Sequence, residues 1–146
     1  MNLEHVEILF AEDTLDDANL TIHALKKSGF TNKLHHVKDG AEALDFIYCK
    51  DVYAMRNILE KPKLILLDLK MPKISGLEVL EKIKSDPSLK SIPVVILTSS
   101  KENPDIEKCY SLGANSYIVK PVDSDNFFNA IKDIGLYWMI LSQPHQ

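Results

Sequence analysis

Acidic, hydroxyl and basic side chains stand at the ends of four short apolar runs in this 146-residue chain. Glu12 and Asp13 follow the first run, Asp68 and Thr98 end two later runs, and Lys120 follows the last. Three carboxylates that lie within a few ångströms raise one another's pKa unless a cation lies among them. Mg²⁺ prefers a few carboxylates together with waters and phosphate oxygens. If these residues meet in the fold, Asp13 and Asp68 are expected to bind Mg²⁺ directly, and Glu12 directly or through a water.

The same residues have the parts that are needed to accept a phosphoryl group. Such a transfer needs a nucleophile, a cation that bridges the charged oxygens, and donors for the other oxygens. Asp68 is the expected nucleophile because it ends the run that should be central, while Lys120 offers a positive charge and Thr98 a hydroxyl donor. Taken singly, these motifs could equally be a helix cap, a polar loop and a turn. The prediction therefore depends on their common placement.

The elements that must position these residues alternate along the chain. Five apolar runs of strand length, rich in Val, Ile and Leu, cover 6–10, 34–37, 64–67, 94–97 and 117–119. Stretches with helical spacing of apolar residues lie near 15–25, 40–47, 77–83, 104–112 and 124–134. Strands that alternate with helices predict an α/β fold, a doubly wound parallel sheet covered on both faces. In such sheets the ligand site lies beyond the carboxyl ends of the strands.

Composition limits the remaining possibilities. The length predicts a single domain over residues 1–146, and the net charge of −4 offers no general attraction to nucleic acid or to an anionic membrane. Two cysteines are too few for a disulfide framework, and we expect a reducing cytoplasmic environment. No run has the length of a membrane span. We therefore expect a cytoplasmic protein with neither a nucleic-acid nor a membrane partner.

In this order and at these positions, the motifs resemble those of receiver domains of two-component response regulators. The resemblance covers essentially the whole chain. It is carried by Glu12-Asp13, by Asp68 with Met71-Pro72 and Gly76 after it, by Thr98, and by Lys120-Pro121. It implies a five-stranded parallel sheet of flavodoxin-like order 2-1-3-4-5 with five helices in a three-layer sandwich.

The resemblance also implies roles for individual residues. Asp68 resembles the acceptor of a phosphoryl group from the phosphohistidine of a sensor kinase, or from a small donor such as acetyl phosphate. The backbone carbonyl of Lys70 would join the acidic residues as a Mg²⁺ ligand. Thr98 and Tyr117 look like a switch pair that converts phosphorylation into a change of conformation. The bond between Lys120 and Pro121 is expected to be cis.

The expected function is phosphorelay signalling by a phosphoprotein, rather than enzymatic turnover. Phosphatases that use an aspartyl phosphate carry a second Asp two residues after the first, where this chain has Lys70. A flavin binder of the same fold is disfavoured because Glu12-Asp13 would repel its phosphate. No DNA-binding output segment is recognised, so the expected partner is a downstream protein or a histidine phosphotransfer carrier. A phosphorylation-independent adaptor with this fold remains the alternative.

Two stretches depart from a minimal receiver. Residues 48–63 form a long and partly apolar connection, for which we expect extra helix or a packed loop, as in response regulators associated with phytochrome-type kinases. The last helix is expected to continue into an apolar C-terminal extension, about 136–146, and to support a homodimer together with the fifth strand. His35 and His36 are interpreted as surface or strand residues, and Asp16-Asp17 as a helix start.

Overall fold

The computed structural model of the protein describes residues 6–30, 33–99 and 103–136. Within them, the strands are β1 (Ile8–Ala11), β2 (Leu34–Val37), β3 (Leu64–Asp68), β4 (Val94–Thr98) and β5 (Ser116–Val119). They form one parallel sheet in the order β2-β1-β3-β4-β5. The predicted architecture and strand order are confirmed. Beyond Leu136, the predicted C-terminal extension lies outside the described residues.

Helices follow the strands in the predicted order. They are α1 (Leu15–Lys27), α2 (Gly40–Tyr48), α3 (Gly76–Ser85), α4 (Asn103–Ser111) and α5 (Ser124–Asp133). Asp39, Ser75 and Asp123 cap α2, α3 and α5, and each side chain accepts a hydrogen bond from the backbone N–H three residues later. Such caps satisfy N–H groups that a helix start leaves free. They also fix the loops that leave the carboxyl ends of the strands.

Helices cover the sheet on both faces, and the strand residues alternate between two cores. Leu9, Ile65 and Ile96 pack in the core with residues of α2, α3 and α4. Their neighbours one position away pack in the other core, with residues of α1 and α5. All residues of β1, β3 and β4 are buried, as expected for strands that are covered on both sides. The resulting three layers confirm the predicted sandwich.

The long connection between α2 and β3 packs on α2 through two of its side chains. It begins with one 3₁₀ turn, Asp51–Tyr53, whose buried Tyr53 donates a hydrogen bond to Glu42 at 2.5 Å. The guanidinium of Arg56 lies 3.8 Å from the ring centroid of Phe46 and also donates to the carbonyl oxygen of that residue. These contacts hold Tyr53 and Arg56 against α2, so the expected packing is found there. The other large apolar residues of the connection, by contrast, are exposed: Val52, Met55, Ile58 and Leu59.

His35 belongs to this packed region as well. Its ring stacks on Phe46 with 5.0 Å between centroids, and its Nε2 lies 2.8 Å from the hydroxyl of Tyr53. Burial lowers the pKa of His35 below the ordinary histidine value. The residue lies in β2, as the sequence interpretation allowed, but its ring is packed rather than at the surface.

Candidate functional site

Three strands bring charged side chains to one side of the sheet at its carboxyl edge. In β1, β3 and β5, the residue two positions before each charged group packs in the core under α1 and α5. Because side chains alternate along a strand, Glu12, Asp68 and Lys120 follow on that same side. The parallel register aligns the strand ends, so these three side chains meet although they are far apart in sequence.

The ammonium of Lys120 joins the carboxylates of this cluster. Its Nζ lies 2.6 Å from Oε1 of Glu12 and 3.2 Å from Oδ2 of Asp68. Glu12 is fully buried, and Asp68 is only 6% exposed. Burial alone would lower the pKa of Lys120, but the hydrogen bond that it donates to Glu12 and the charges of both carboxylates raise it above the ordinary lysine value. Lys120 therefore carries a positive charge at neutral pH.

The carboxylates nevertheless exceed the positive charge available to them. Burial and the adjacent Asp68 raise the pKa of Glu12, while the hydrogen bond from Lys120 lowers it. Glu12, Asp68 and the exposed Asp13 each offer one oxygen, and these oxygens all lie within 4.8 Å of one another. Hard oxygen donors in such a group fit Mg²⁺ or Mn²⁺, which would offset the mutual repulsion.

Thr98 and Tyr117 lie on the neighbouring strands. Thr98 ends β4 and is only 3% exposed. Its backbone oxygen accepts a hydrogen bond of 2.7 Å from the amide of Lys120. Tyr117 is half-buried in β5 and meets Tyr110 of α4 edge to face, with 5.8 Å between ring centroids. By strand alternation and register, Thr98 and Tyr117 face the same side of the sheet, the side of α4.

The loop after β3 and the turn after β5 complete the edge of the site. The amide of Lys70 donates to Oδ1 of Asp68 at 3.3 Å, which places this residue directly beside the acidic group. The peptide bond between Lys120 and Pro121 is cis. Tyr117 lies two residues inside the sheet, and the other residues that the sequence suggested for the site lie at or next to its carboxyl edge.

Asp17 belongs to the site, although the sequence interpretation assigned it to a helix start. It does lie in the first turn of α1, but its Oδ2 is 3.2 Å from Nζ of Lys120. No spacing in the sequence indicated this contact, because Asp17 lies in α1 and Lys120 is 103 residues farther along the chain. The side chain is 44% exposed and adds a negative charge at the solvent side of the cluster.

Gly76 leaves room for the backbone that carries Asp68. A Cβ added at this first residue of α3 would lie 2.1 Å from the carbonyl oxygen of Asp68. The amide of Gly76 also donates to the carbonyl of Leu69 at 3.0 Å. The start of α3 is thus packed directly on the end of β3.

We expect Gly76→Ala to lower the free energy of unfolding by about 3 kcal/mol, because the overpacked backbone must shift. Urea unfolding followed by circular dichroism measures this effect. Glu81→Ala, an exposed change in the same helix, is the control and should change stability by less than about 0.5 kcal/mol. Equal stability of the two variants would contradict the close approach at Gly76.

No helix in the described parts of the chain is long and apolar enough to cross a lipid bilayer.

Comparison with known proteins agrees with this geometry. The model of the response regulator receiver domain matches residues 8–132. The response regulator Rcp1 of Synechocystis sp. is 37% identical over 132 residues, which are 90% of this chain and 88% of that protein.

Solved structures extend the likeness. The solved structure of the bacteriophytochrome response regulator RtBRR has 46% sequence identity to this chain and a TM-score of 0.86. The match covers 95% of this chain and 83% of RtBRR. The structure of the phosphorylated cyanobacterial phytochrome response regulator RcpA has 39% sequence identity and a TM-score of 0.76. That match covers 95% of this chain and 97% of RcpA. The chain therefore belongs to the response regulator receiver family, in the phytochrome-associated subgroup.

Proposed function

We propose that this receiver accepts a phosphoryl group on Asp68 from a sensor histidine kinase, and that it passes the signal on through protein contacts. The observation that carries the proposal is the position of the Lys120 ammonium, which contacts both Glu12 and Asp68 in a buried acidic cluster. In the transfer, an oxygen of Asp68 attacks phosphorus as the bond to the donor breaks. With phosphohistidine the imidazole leaves and takes a proton from solvent, and with acetyl phosphate the leaving group is acetate.

Glu12, Asp13 and Asp68 are the residues that would hold Mg²⁺, together with the backbone carbonyl of Lys70. When bound, Mg²⁺ neutralises charge on the acidic group and on the phosphoryl oxygens. The protein Rcp1, 35% identical in its solved structure, has been described in a Mn²⁺-bound form, which supports a divalent cation here. Lys120 binds a further phosphoryl oxygen, and Thr98 donates its hydroxyl to another.

Thr98 and Tyr117 are the residues through which phosphorylation changes the conformation. A new hydrogen bond draws the Thr98 hydroxyl toward the phosphoryl group, and the Tyr117 ring turns toward the space that it leaves. A ligand can shift such an equilibrium only through contacts that differ between the two states. The buried Thr98 and the half-buried Tyr117 lie on one face of the sheet, which supports such a coupling.

The partner that supplies the phosphoryl group is, in our proposal, a phytochrome-type histidine kinase. The support is the likeness to RtBRR and RcpA, whose names associate them with phytochromes. The output partner is a downstream protein or a histidine phosphotransfer carrier. Free thiols at Cys49 and Cys109 are consistent with action in the reducing cytoplasm.

Incubation with acetyl phosphate tests the central claim. With Mg²⁺, intact-mass spectrometry should show the addition of one phosphoryl group per chain, and chelation of the cation with EDTA should prevent it. Cleavage and fragmentation of the product should place the group on Asp68. Absence of any addition, with acetyl phosphate or with a kinase, would favour the alternative of a phosphorylation-independent adaptor.

We also propose a homodimer built on α5, β5 and the C-terminal extension, in a domain that spans 1–146. The support is the exposure of Phe128 on α5, at 40%, together with the consecutive apolar residues 136–141. Equilibrium sedimentation over micromolar concentrations should show a dimer in at least one phosphorylation state. A monomer both with and without the phosphoryl group would contradict this part of the proposal.

A further inference from the structure

His36 makes a hydrogen bond that neither its strand position nor the proposed chemistry requires. Its Nε2 lies 2.7 Å from the carbonyl oxygen of Glu12. Because a carbonyl only accepts, Nε2 must carry the hydrogen. The ring also packs on Phe10, the residue two positions before Glu12, with 5.4 Å between the ring centroids. The sequence interpretation, a surface or strand residue, did not foresee this bond.

The edge strand β2 thereby holds both backbone polar groups of Glu12. The amide of Glu12 donates to the carbonyl of Val37 at 3.0 Å, and its carbonyl accepts from His36. The peptide group formed by this carbonyl joins Glu12 to Asp13, and both residues offer oxygens to the acidic cluster. The orientation of that peptide therefore determines the position of Asp13, the residue at which the chain leaves the sheet.

Asp13 depends on its backbone for position more than the other acidic residues do. Glu12 is fixed by burial, by Lys120, and by a bond from the amide of Thr14 at 3.2 Å. Asp68 is held by Lys120 and by the loop amide that follows it. Asp13 is exposed, so rotation of the preceding peptide would move its carboxylate away from the other two.

We propose that His36 is a positioning residue for the divalent cation, because its Nε2–H fixes the peptide between Glu12 and Asp13. The inference rests on the metal site of the proposed function. Residues that orient metal ligands through hydrogen bonds commonly change metal affinity by about tenfold or more when replaced. Within the described residues, no hydrogen bond joins His36 to Asp68 or Lys120. Loss of His36 should therefore weaken cation binding and leave phosphoryl transfer intact once the cation saturates.

Isothermal titration calorimetry with Mg²⁺ tests this directly. We expect His36→Leu to raise the dissociation constant for Mg²⁺ about tenfold. His36→Gln, whose amide can still donate from a similar distance, should restore an affinity close to that of the wild type. His36→Asn is polar but too short to reach the carbonyl, and it should bind as weakly as the leucine variant. His23→Gln, an exposed histidine of α1, is the control and should leave the affinity unchanged.

A second measurement separates positioning from a structural role. The rate of phosphorylation by acetyl phosphate in His36→Leu or His36→Asn should reach the wild-type value at saturating Mg²⁺. Unchanged affinity in both variants, or a lower maximum rate that Mg²⁺ does not restore, would overturn the inference. A wild-type protein that takes up no Mg²⁺ would instead contradict the proposed function itself.

Discussion

Replacing Asp68 with asparagine is expected to abolish the addition of a phosphoryl group under all donor and Mg²⁺ concentrations. The neutral amide lacks the carboxylate oxygen that attacks phosphorus, and no other acidic group of the site ends the central strand β3. Asp13 and Glu12 remain, but the proposal assigns them to the cation. Intact-mass spectrometry of the wild type and of Asp68→Asn, treated side by side with acetyl phosphate, measures the difference.

The variant should remain folded, which makes its loss of phosphorylation informative. Asp68 lies in a cluster where negative charge exceeds positive charge, so its neutralisation removes repulsion. Without a divalent cation, we expect Asp68→Asn to melt at a temperature no lower than that of the wild type. Asp16→Asn makes the same change of charge at an exposed position of α1 and should be phosphorylated normally.

Two outcomes would contradict the assignment. Phosphoryl addition to Asp68→Asn at the wild-type rate would show that another residue is the acceptor. A folded wild type that never accepts a phosphoryl group would leave the receiver fold in place and favour an adaptor. Circular dichroism on the same samples shows whether each variant is folded.

Much of the site could be predicted because its position follows from periodicity. An apolar run that is buried on both faces predicts a central parallel strand, and the residue that ends it must lie at the ligand edge. Three charged residues lie at that edge: Glu12, Asp68 and Lys120. Each lies two positions after a core residue of its strand and therefore on the same face of the sheet. Buried charged groups need partners of opposite charge, so the residue types alone predicted that the carboxylates and the lysine contact one another.

The remaining contacts depend on distances between elements that local pattern does not encode. Asp17 reaches Lys120 because α1 packs on the face of the sheet to which the Lys120 side chain points, which no spacing within α1 reveals. His36 reaches the Glu12 carbonyl across the pairing of β1 and β2. Two adjacent histidines on a strand point to opposite faces, so His35 and His36 acquire different surroundings from nearly identical sequence contexts.

At Lys120, the effect of the charge on cation binding can be separated from its effect on phosphoryl transfer. Its ammonium contacts Glu12, Asp17 and Asp68. The carboxylates of Glu12 and Asp68 raise its pKa and keep it charged at neutral pH. In the proposed reaction the same charge stabilises the phosphoryl oxygens, and loss of one preorganised donor typically costs about 10²–10³ in rate. In the resting site, however, a fixed positive charge opposes the entry of a second cation.

We therefore expect Lys120→Met to reduce the rate of phosphorylation of Asp68 by about 10²–10³, while Mg²⁺ binds at least as tightly as in the wild type. The rate is followed by intact mass at saturating Mg²⁺, and the affinity by calorimetry. Lys120→Arg keeps the charge, but its planar guanidinium cannot take the place of a compact ammonium among three carboxylates, and it should also be slow.

Lys90→Met serves as the control for the loss of a positive charge at an exposed position, and it should leave both quantities unchanged. Weaker Mg²⁺ binding in Lys120→Met would mean that the lysine holds the acidic residues in place for the cation, because loss of repulsion alone can only tighten binding. A rate close to that of the wild type would remove Lys120 from the chemistry of the transfer. A slow rate combined with undiminished Mg²⁺ affinity is the combination that only a direct role toward the phosphoryl group explains.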